Sequence, residues 1–391
     1  MTLSMMSKTQ LHRRNLQVVL AYIFNHQPVA RTQIATDLNV TKSTISTLYK
    51  ELKERGLVTE SGIGDSTEIG GRKPVLVSLN TRYGYTINID LGYPSMLIMQ
   101  NDLAGGVVTI KPVNTTYLPI ESILKRIDQQ VDYAAKTNWT TNGLQGISLA
   151  IHGRVADRQV MDSPFLDMHD IDIAAYLQDR YQVPVTIANE ANLAAVYHRD
   201  FDNRDNQLNN LVLVSIQRGV NTGLLLDHHL YQGGQGRAGE LGHVRENGQQ
   251  LTSTSSEATI ISHISNAKGE NQLSLAEVKK YHQHRDNTTE MILTDWINQL
   301  AQITLNLTSL YDPDEIMYKS PLMDAIPELF DRLKTITTQL SPMQETPTPL
   351  SLVAHTKYAS LLGGCAMVTR KILDLEDLEL NFTPVRERAP V

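Results

Sequence analysis

Apolar positions recur at helical spacing through the first sixty residues. Leu16, Val19, Leu20, Ile23 and Phe24 mark one face of a helix over 8–26, which His26-Gln27-Pro28 ends. Arg31 to Leu38 reads as a second, short helix, and about Thr41 to Arg55 as a third. Their inward positions are Ile34, Ala35, Leu38, Val40, Ile45, Leu48 and Leu52. Where the two cross, a small residue is needed, and Ala35 supplies it. The turn between them needs a residue tolerant of positive φ, which is Asn39, and Thr41 is a sound N-cap. After Gly56 the pattern changes to that of strands. Leu57–Glu60 and Val75–Leu79 predict a hairpin joined by SGIGDSTEIGGRKP. Three helices followed by a hairpin is the order of a winged helix-turn-helix.

From Tyr85 the pattern is strand, turn, strand, turn, strand, in the segments YTINIDLG, SMLIMQND and GGVVTI. The same plan returns from Leu211 in LVLVSIQRG, TGLLLDHH and LYQGG. A repeat of this kind predicts two related α/β lobes closing on a cleft, and clefts between lobes bind small molecules. A helix over Met291–Leu310, with Ile292, Trp296, Leu300, Ile303 and Leu307 on one face, and an apolar segment over Tyr358–Ile372 would cover the sheets. The stretch TTQLSPMQETPTPL between them predicts a surface loop. The expected organisation is a DNA-binding head over 1–80, a first lobe over 81–195 and a second lobe over 196–391, the C-terminal helix returning to the first lobe.

Composition narrows this picture. At 391 residues the chain exceeds what one core serves, and 41 % hydrophobic with 20 % charged residues describes an ordinary globular protein. No apolar run approaches the ~20 residues of a membrane-spanning helix. MTLSMMSKTQLHRRN lacks the pattern of a secretory signal, and Cys365 is the single cysteine, so no intrachain disulfide or multi-cysteine zinc site forms. A cytoplasmic chain that does not engage membranes is expected. The net charge of −7 conceals an asymmetry: residues 1–80 hold ten Lys or Arg against six acids, a formal +4, which leaves −11 for the remainder. That is the balance of a polyanion-binding head on an acidic body. On the third helix the outward residues are Lys42, Ser43, Ser46, Thr47 and Lys50, all able to reach base edges or phosphates. In the wing, Arg72 and Lys73 precede a proline that fixes an extended path suited to a narrow minor groove. The plainer alternative is a protein-interaction module with a flexible loop.

From Arg31 to about Asp374 the chain resembles repressors of the ROK family. The matching segments are GGRKP in the wing, IDLG from Ile89, PVTIANEANLAAV from Pro184, GRAGELGH from Gly236, DPDEIM from Asp312 and LLGGCAMV from Leu361. The resemblance implies a winged helix-turn-helix followed by a two-lobed, ribonuclease H-like body of the actin and hexokinase fold. A sugar offers vicinal hydroxyls that donate and accept, so its site needs carboxylates, amides and imidazoles held at a cleft. By the resemblance those are Asn189, Glu190, Glu240 and His243, with Glu257 in SEATIISH as a further acid.

The departures from the family's kinases are chemical. A Gly-Thr pair after DxG approaches ATP phosphates in those enzymes; here stand Tyr93 and Pro94, and proline offers no N–H. The second phosphate loop holds Gln217, Arg218, Val220 and Asn221, and Lys319-Ser320-Pro321 replaces the glycines that admit adenine. The kinases' catalytic base is an aspartate after asparagine, whereas this chain has Glu190, whose extra methylene moves the carboxylate by about an ångström. The family's CxCG...GC zinc loop is replaced by VRENGQQLTSTSS. Binding without catalysis is therefore expected, with no catalytic residue, no metal and no cofactor. The expected partners are operator DNA, read by a homodimer on an inverted repeat, and a monosaccharide. Within the family the arrangement SPFLDM...NEANLAA is nearest to members that answer to xylose, which puts xylose ahead of glucose or another aldose. An active sugar kinase with a DNA-binding head, and a DNA-bound scaffold governed by a protein partner, are the competing readings.

Overall fold

The computed structural model describes residues 7–64, 73–164, 166–202, 208–341, 346–353 and 357–382. The head opens with α1 (Lys8–His26), started by a reciprocal capping box between Ser7 and Gln10. There follow β1 (Val29–Ala30), α2 (Arg31–Asp37), α3 (Lys42–Glu54), β2 (Val58–Ile63) and β3 (Val75–Leu79). Leu16, Val19, Leu20, Ile23 and Phe24 of α1 bury against Ile34 and Ala35 of α2 and Ile45, Leu48 and Leu52 of α3. Asn39 takes the left-handed conformation at φ 51°, and the Thr41 side chain accepts from the Thr44 backbone N–H to start α3. The hairpin of β2 and β3 gains a third strand that the sequence pattern did not show. Val29 and Ala30 pair antiparallel with Val77 and Leu76, and two residues are too few to display a period.

The first lobe is built from β4 (Tyr85–Leu91), β5 (Ser95–Asp102), β6 (Val107–Asn114), α4 (Ile120–Lys136), β7 (Leu144–Ile151), β8 (Arg154–Ala156), β9 (Gln159–Asp162), α5 (Ile173–Tyr181) and β10 (Val185–Asn189). Then α6 (Glu190–Tyr197) runs into a π-helical turn over His198–Asp202. The second lobe holds β11 (Leu211–Ile216), β12 (Val220–Leu226), β13 (His229–Leu230), β14 (Arg245–Glu246), β15 (Gln249–Gln250), α7 (Leu251–Ser255), α8 (Glu257–Lys268), α9 (Leu275–Gln283), α10 (Asn287–Tyr311), β16 (Glu315–Lys319), α11 (Pro321–Ala325), α12 (Pro327–Leu340) and β17 (Leu350–Leu352). The described chain ends with α13 (Ala359–Leu373) and a tail to Phe382.

The two central sheets share one topology. In order they are β6-β5-β4-β7-β10 and β13-β12-β11-β16-β17, each with three antiparallel strands followed by two parallel ones. The repeat seen in the sequence is thus a duplication of fold. Parallel strands must be covered on both faces, which is why β4, β7, β10 and β11 are buried at almost every position. The stretch from Thr337 was expected to be a loop. Instead α12 continues to Leu340 because Leu333 and Thr337 still face its buried side, and Leu350 already belongs to β17.

α6 lies at the centre of the body, all of its residues buried, with β12 on one side and α13 on the other. Two glycines make this possible by close approach. A Cβ on Gly363 of α13 would sit 1.7 Å from the Leu193 carbonyl oxygen, and one on Gly223 of β12 would sit 2.4 Å from that of Ala191. Among the described residues no helix is long and apolar enough to cross a membrane.

Gly363→Ala must therefore push α13 off α6, and a loss of about 3 kcal/mol is expected in urea unfolding. Stability within ~0.5 kcal/mol of the wild type would contradict so close a crossing.

Candidate functional site

A cleft of about 1490 Å³ opens between the lobes, at the carboxyl ends of their parallel strands. Four charged groups form its floor, each at a strand end. Asp90 closes β4, His152 follows β7, Glu190 follows β10 and Lys319 closes β16. The Lys319 ammonium donates to Glu190 Oε2 at 2.6 Å, and Ser215 of β11 donates to Oε1 at 2.6 Å. Lys319 is 2 % exposed and Glu190 3 %. His152 Nε2 donates to Asp90 Oδ1 at 2.7 Å, and the Ser360 hydroxyl donates to Oδ2.

Burial alone disfavours the charged forms of Asp90, His152 and Glu190, and their neighbours reverse it. For Glu190, desolvation raises the pKa, but Lys319, His152 and the two hydrogen bonds bring it below the ordinary carboxylate value. Asp90 is driven up by burial and then down by His152, Lys319 and Ser360 to about 2. His152 loses proton affinity to burial and regains more from Asp90 and Glu190, so its value lies above the usual 6.5. The floor sets two carboxylates against an ammonium and an imidazole whose proton affinity is raised.

The rim carries the more accessible polar groups. Glu240 and His243 flank a single 3-10 turn over Leu241–His243; Glu240 is half-buried and His243 exposed, and both line the cleft. Burial raises the Glu240 pKa, against the pull of His243 and with a push from Asp162. Arg154 Nε pairs with Asp162 Oδ2 at 3.2 Å on the facing hairpin of β8 and β9.

Two of the residues expected to line the sugar pocket are occupied elsewhere. Asn189 caps α6: its Oδ1 accepts from Ala191 N and its Nδ2 donates to the Gly153 carbonyl, both at 2.8 Å. It stands behind the wall and holds the His152-Gly153 turn in place. Glu257, the first residue of α8, lines the second-lobe side of the cleft, but its carboxyl accepts from Leu322 N at 3.0 Å and from Ser320 Oγ. Burial pushes it up to about 8, so it is protonated at neutral pH and ties α8 to α11.

The segments that hold phosphates in the resemblance meet each other here. Arg218, in the turn between β11 and β12, lies over the Tyr93 ring at 4.7 Å, in the turn between β4 and β5, and Tyr117 packs edge-on to Tyr93 at 6.5 Å. Contact across the cleft mouth takes the place of a phosphate cradle.

On the head, Lys42, Ser43, Ser46, Thr47 and Lys50 are all exposed along one face of α3, and Lys73 is exposed beside the wing. Arg72 lies outside the described residues. Lys50 makes a 3.7 Å pair with Glu54, too exposed to hold it from a phosphate. Glu51, by contrast, faces back to His12 at 2.7 Å and to Arg55.

Sequence reading missed Asp90 and His152 as cleft groups and Ser360 as the partner behind Asp90, and read Lys319 only as an obstruction. A signal existed: a titratable residue directly after a mostly apolar run, as in ISLAIH and EIMYK, marks the carboxyl end of a buried parallel strand. Ser215 and Ser360 carried no such mark.

A model of the ROK family matches residues 86–371. The chain is 37 % identical to the xylose repressor of Lactiplantibacillus pentosus, covering 96 % of this chain and 97 % of that one. It is 32 % identical to the xylose repressor of Staphylococcus xylosus, over 94 % and 97 %. Among solved structures, a ROK family transcriptional regulator described as a homolog of the Escherichia coli MLC protein superposes with a TM-score of 0.77 at 19 % identity, over 94 % of this chain and 98 % of that one. A ROK family glucokinase from Streptomyces griseus, in complex with glucose and AMPPNP, superposes at 0.62 with 18 % identity, over 74 % and 100 %. At these identities the two structures speak for the fold.

The floor pairs have a pH signature. His152 binds its proton more tightly folded than unfolded, so its contribution is complete below 6.5 and is lost as pH rises through the folded value. Asp90, lowered from 3.8 to about 2, contributes above 3.8 and loses that contribution as pH falls toward 2. In urea unfolding across pH 5–9, the stability advantage of the wild type over His152→Asn should shrink as the pH rises above 6.5. An advantage that stays flat would mean His152 is neutral in the fold.

Proposed function

The chain belongs to the ROK family, and from that premise we propose that it is a sugar-responsive transcriptional repressor, released from operator DNA when an aldose, xylose before others, occupies the interlobe cleft. The observation that carries this reading is the buried pair of Lys319 and Glu190. A general base must be free to take a proton from the attacking hydroxyl. By the resemblance Glu190 stands at the catalytic position. Each oxygen already accepts one hydrogen bond, from an ammonium and from Ser215, and its pKa is held below the ordinary carboxylate value, which makes it a poor base while leaving lone pairs for a sugar hydroxyl. A sugar seated there meets a carboxylate that orients but does not deprotonate. With Tyr93 and Arg218 filling the former phosphate approach, the cleft keeps the polar lining a sugar needs and lacks the means to phosphorylate it. The named repressors among its relatives point the same way.

In this reading Glu240, His243 and Glu190 take the sugar hydroxyls, Glu257 adds a protonated carboxyl at the second-lobe wall, and Asn189 acts by holding the Gly153 turn. The head reads the operator through Lys42, Ser43, Ser46, Thr47 and Lys50 in the major groove, with Arg72 and Lys73 reaching the minor groove from the wing. Two heads in a homodimer suit an inverted repeat. Release requires that sugar prefer the conformation that cannot hold DNA, by roughly 1–3 kcal/mol in ordinary allosteric proteins.

Operator gel shifts across a panel of sugars, with and without ATP, test this directly. Glu240→Gln is expected to weaken sugar binding about tenfold or more, the cost of one charge-assisted hydrogen bond, with sugar-free operator affinity unchanged. Lys42→Ala should do the reverse, lowering the slope of operator affinity against salt by about one. If no aldose alters operator binding, or ADP forms when sugar and ATP are mixed, the proposal fails.

A further inference from the structure

The head is attached to the body at two places. One is covalent: the turn at 80–84 enters β4 at Tyr85, the opposite end of that strand from Asp90. There Asn80 bonds back to the Gly56 and Leu57 carbonyls, while the backbone at Thr141 and Asn142 bonds to Arg82 and Tyr83. The second is a lateral seam. The tail after α13 runs along α1 and is fixed to it at successive positions of one helical face. Arg13 grips the Asp374 carboxylate with two bonds of 2.6 Å, and Gln17 donates to the Asp374 carbonyl at 2.6 Å. Asn25 donates to the Glu379 carbonyl at 2.9 Å and accepts from Asn381 N at 2.8 Å. At the end of the seam the Phe382 ring meets Phe24 of α1 edge-on at 4.9 Å.

The other face of the same tail packs on the far end of α6 and the turn that follows it. Phe382 stacks on Phe201 at 5.0 Å, and Phe201 stacks on Tyr197 at 5.3 Å. Phe382 N donates to the Asp200 carbonyl at 2.8 Å. Asp200, buried in the π-helical turn, is held by Arg199 at 2.7 Å and by Arg370 of α13 at 2.7 Å, and Arg370 also donates to the Leu378 carbonyl. Tyr197, Asp200 and Phe201 are the far end of α6 and its turn, and the near end of α6 is Glu190 in the cleft floor.

We propose that the tail Asp374–Phe382 is the element through which the cleft addresses the head, with Phe382 the positioning residue that fixes the angle of α1 to the position of α6. The proposal rests on the reading that the cleft takes a sugar and the head an operator. Its physical basis is the stiffness of α6. That helix presents Ala191, Ala194 and Ala195 to its neighbours and is clamped between Gly363 and Gly223, backbone against backbone. At those two crossings there is no room even for a Cβ to absorb a displacement, so movement of the Glu190 end is delivered to Phe201. The turn at 80–84 is then the pivot and the tail the lever. A π-helical turn at the junction fits this role, since such turns gather at working positions of helices.

The test uses the full-length protein and two variants, Phe382→Leu, which keeps an apolar side chain but removes the ring contacts, and Asn25→Ala on the seam's surface. Sugar affinity is measured by calorimetry with D-xylose and a panel of aldoses, and operator affinity with and without saturating sugar. Both variants should bind sugar, and operator without sugar, within about threefold of the wild type. The factor by which sugar weakens operator binding should fall at least fivefold. A purely structural role for Phe382 would change the affinities and leave that factor intact, and such a result overturns the proposal. If the wild type itself answers to no sugar, the sensor reading fails separately. Hydrogen exchange then judges the tail: Phe382→Leu should raise exchange in the π-helical turn and in the carboxyl half of α6, and a change confined to α1 refutes the link.

Discussion

Removing a carboxylate and an ammonium from water together costs several kcal/mol for each ion, and the body accepts that cost at Glu190 and Lys319. Their attraction repays it only because the geometry is tight and Ser215 satisfies the second oxygen. The pair spans the lobes: Glu190 begins the helix that leaves the first sheet, and Lys319 ends a central strand of the second. Three things depend on it. It sets the amino end of α6, where a negative charge also suits the helix dipole. It removes the base that a phosphotransferase would need. It also stands beside the pair of Asp90 and His152, so that each carboxylate of the floor has a basic partner.

A bound ligand that disturbs this floor meets a core with little give. The alanines of α6 and the glycines opposite them place backbone against backbone through the middle of the body, and close-packed interiors move as blocks rather than deform. Segregation of charge adds a second constraint. The acidic body repels a duplex while the basic head attracts it, so affinity for DNA depends on how the head is presented. A modest rotation of the head relative to the body can change operator affinity without altering a single base contact.

The fold was legible in the sequence wherever period and burial agree. The α3 face, the Asn39 turn and the doubled strand plan follow from spacing alone, because a helix or strand half-buried on one side writes its period into the chain. The site was legible less evenly. Glu240 and His243 stand in a glycine-rich turn that advertises them, and Glu190 was visible beside its asparagine. What Glu190 does was not visible, since its partner lies 129 positions away on another sheet. Asn189 and Glu257 show what sequence could not see. Each is a polar residue beside a cleft, yet each spends its hydrogen bonds on a helix start, and only the three-dimensional neighbours decide which use prevails. The two-residue β1 and the helical Thr337–Leu340 were lost for a simpler reason: both are too short to outweigh the composition around them.

The body has the fold of sugar kinases as well as of regulators, so the architecture cannot by itself decide between them. The decision is made at a few strand ends and turns. Replacing a backbone N–H by Pro94, filling the approach with Tyr93 and Arg218, and locking the base with Lys319 leave every strand and its register in place. The apolar clusters behind these positions are separate from them, so the cores can persist while the cleft residues differ. Catalysis demands a donor, a base and a nucleotide in one geometry, and each of the three changes works against it. Sensing demands only that one state hold the sugar better than another. In the proposed reading closure on a sugar would meet that condition, and a head attached by both a pivot and a lever would make the closure readable on DNA.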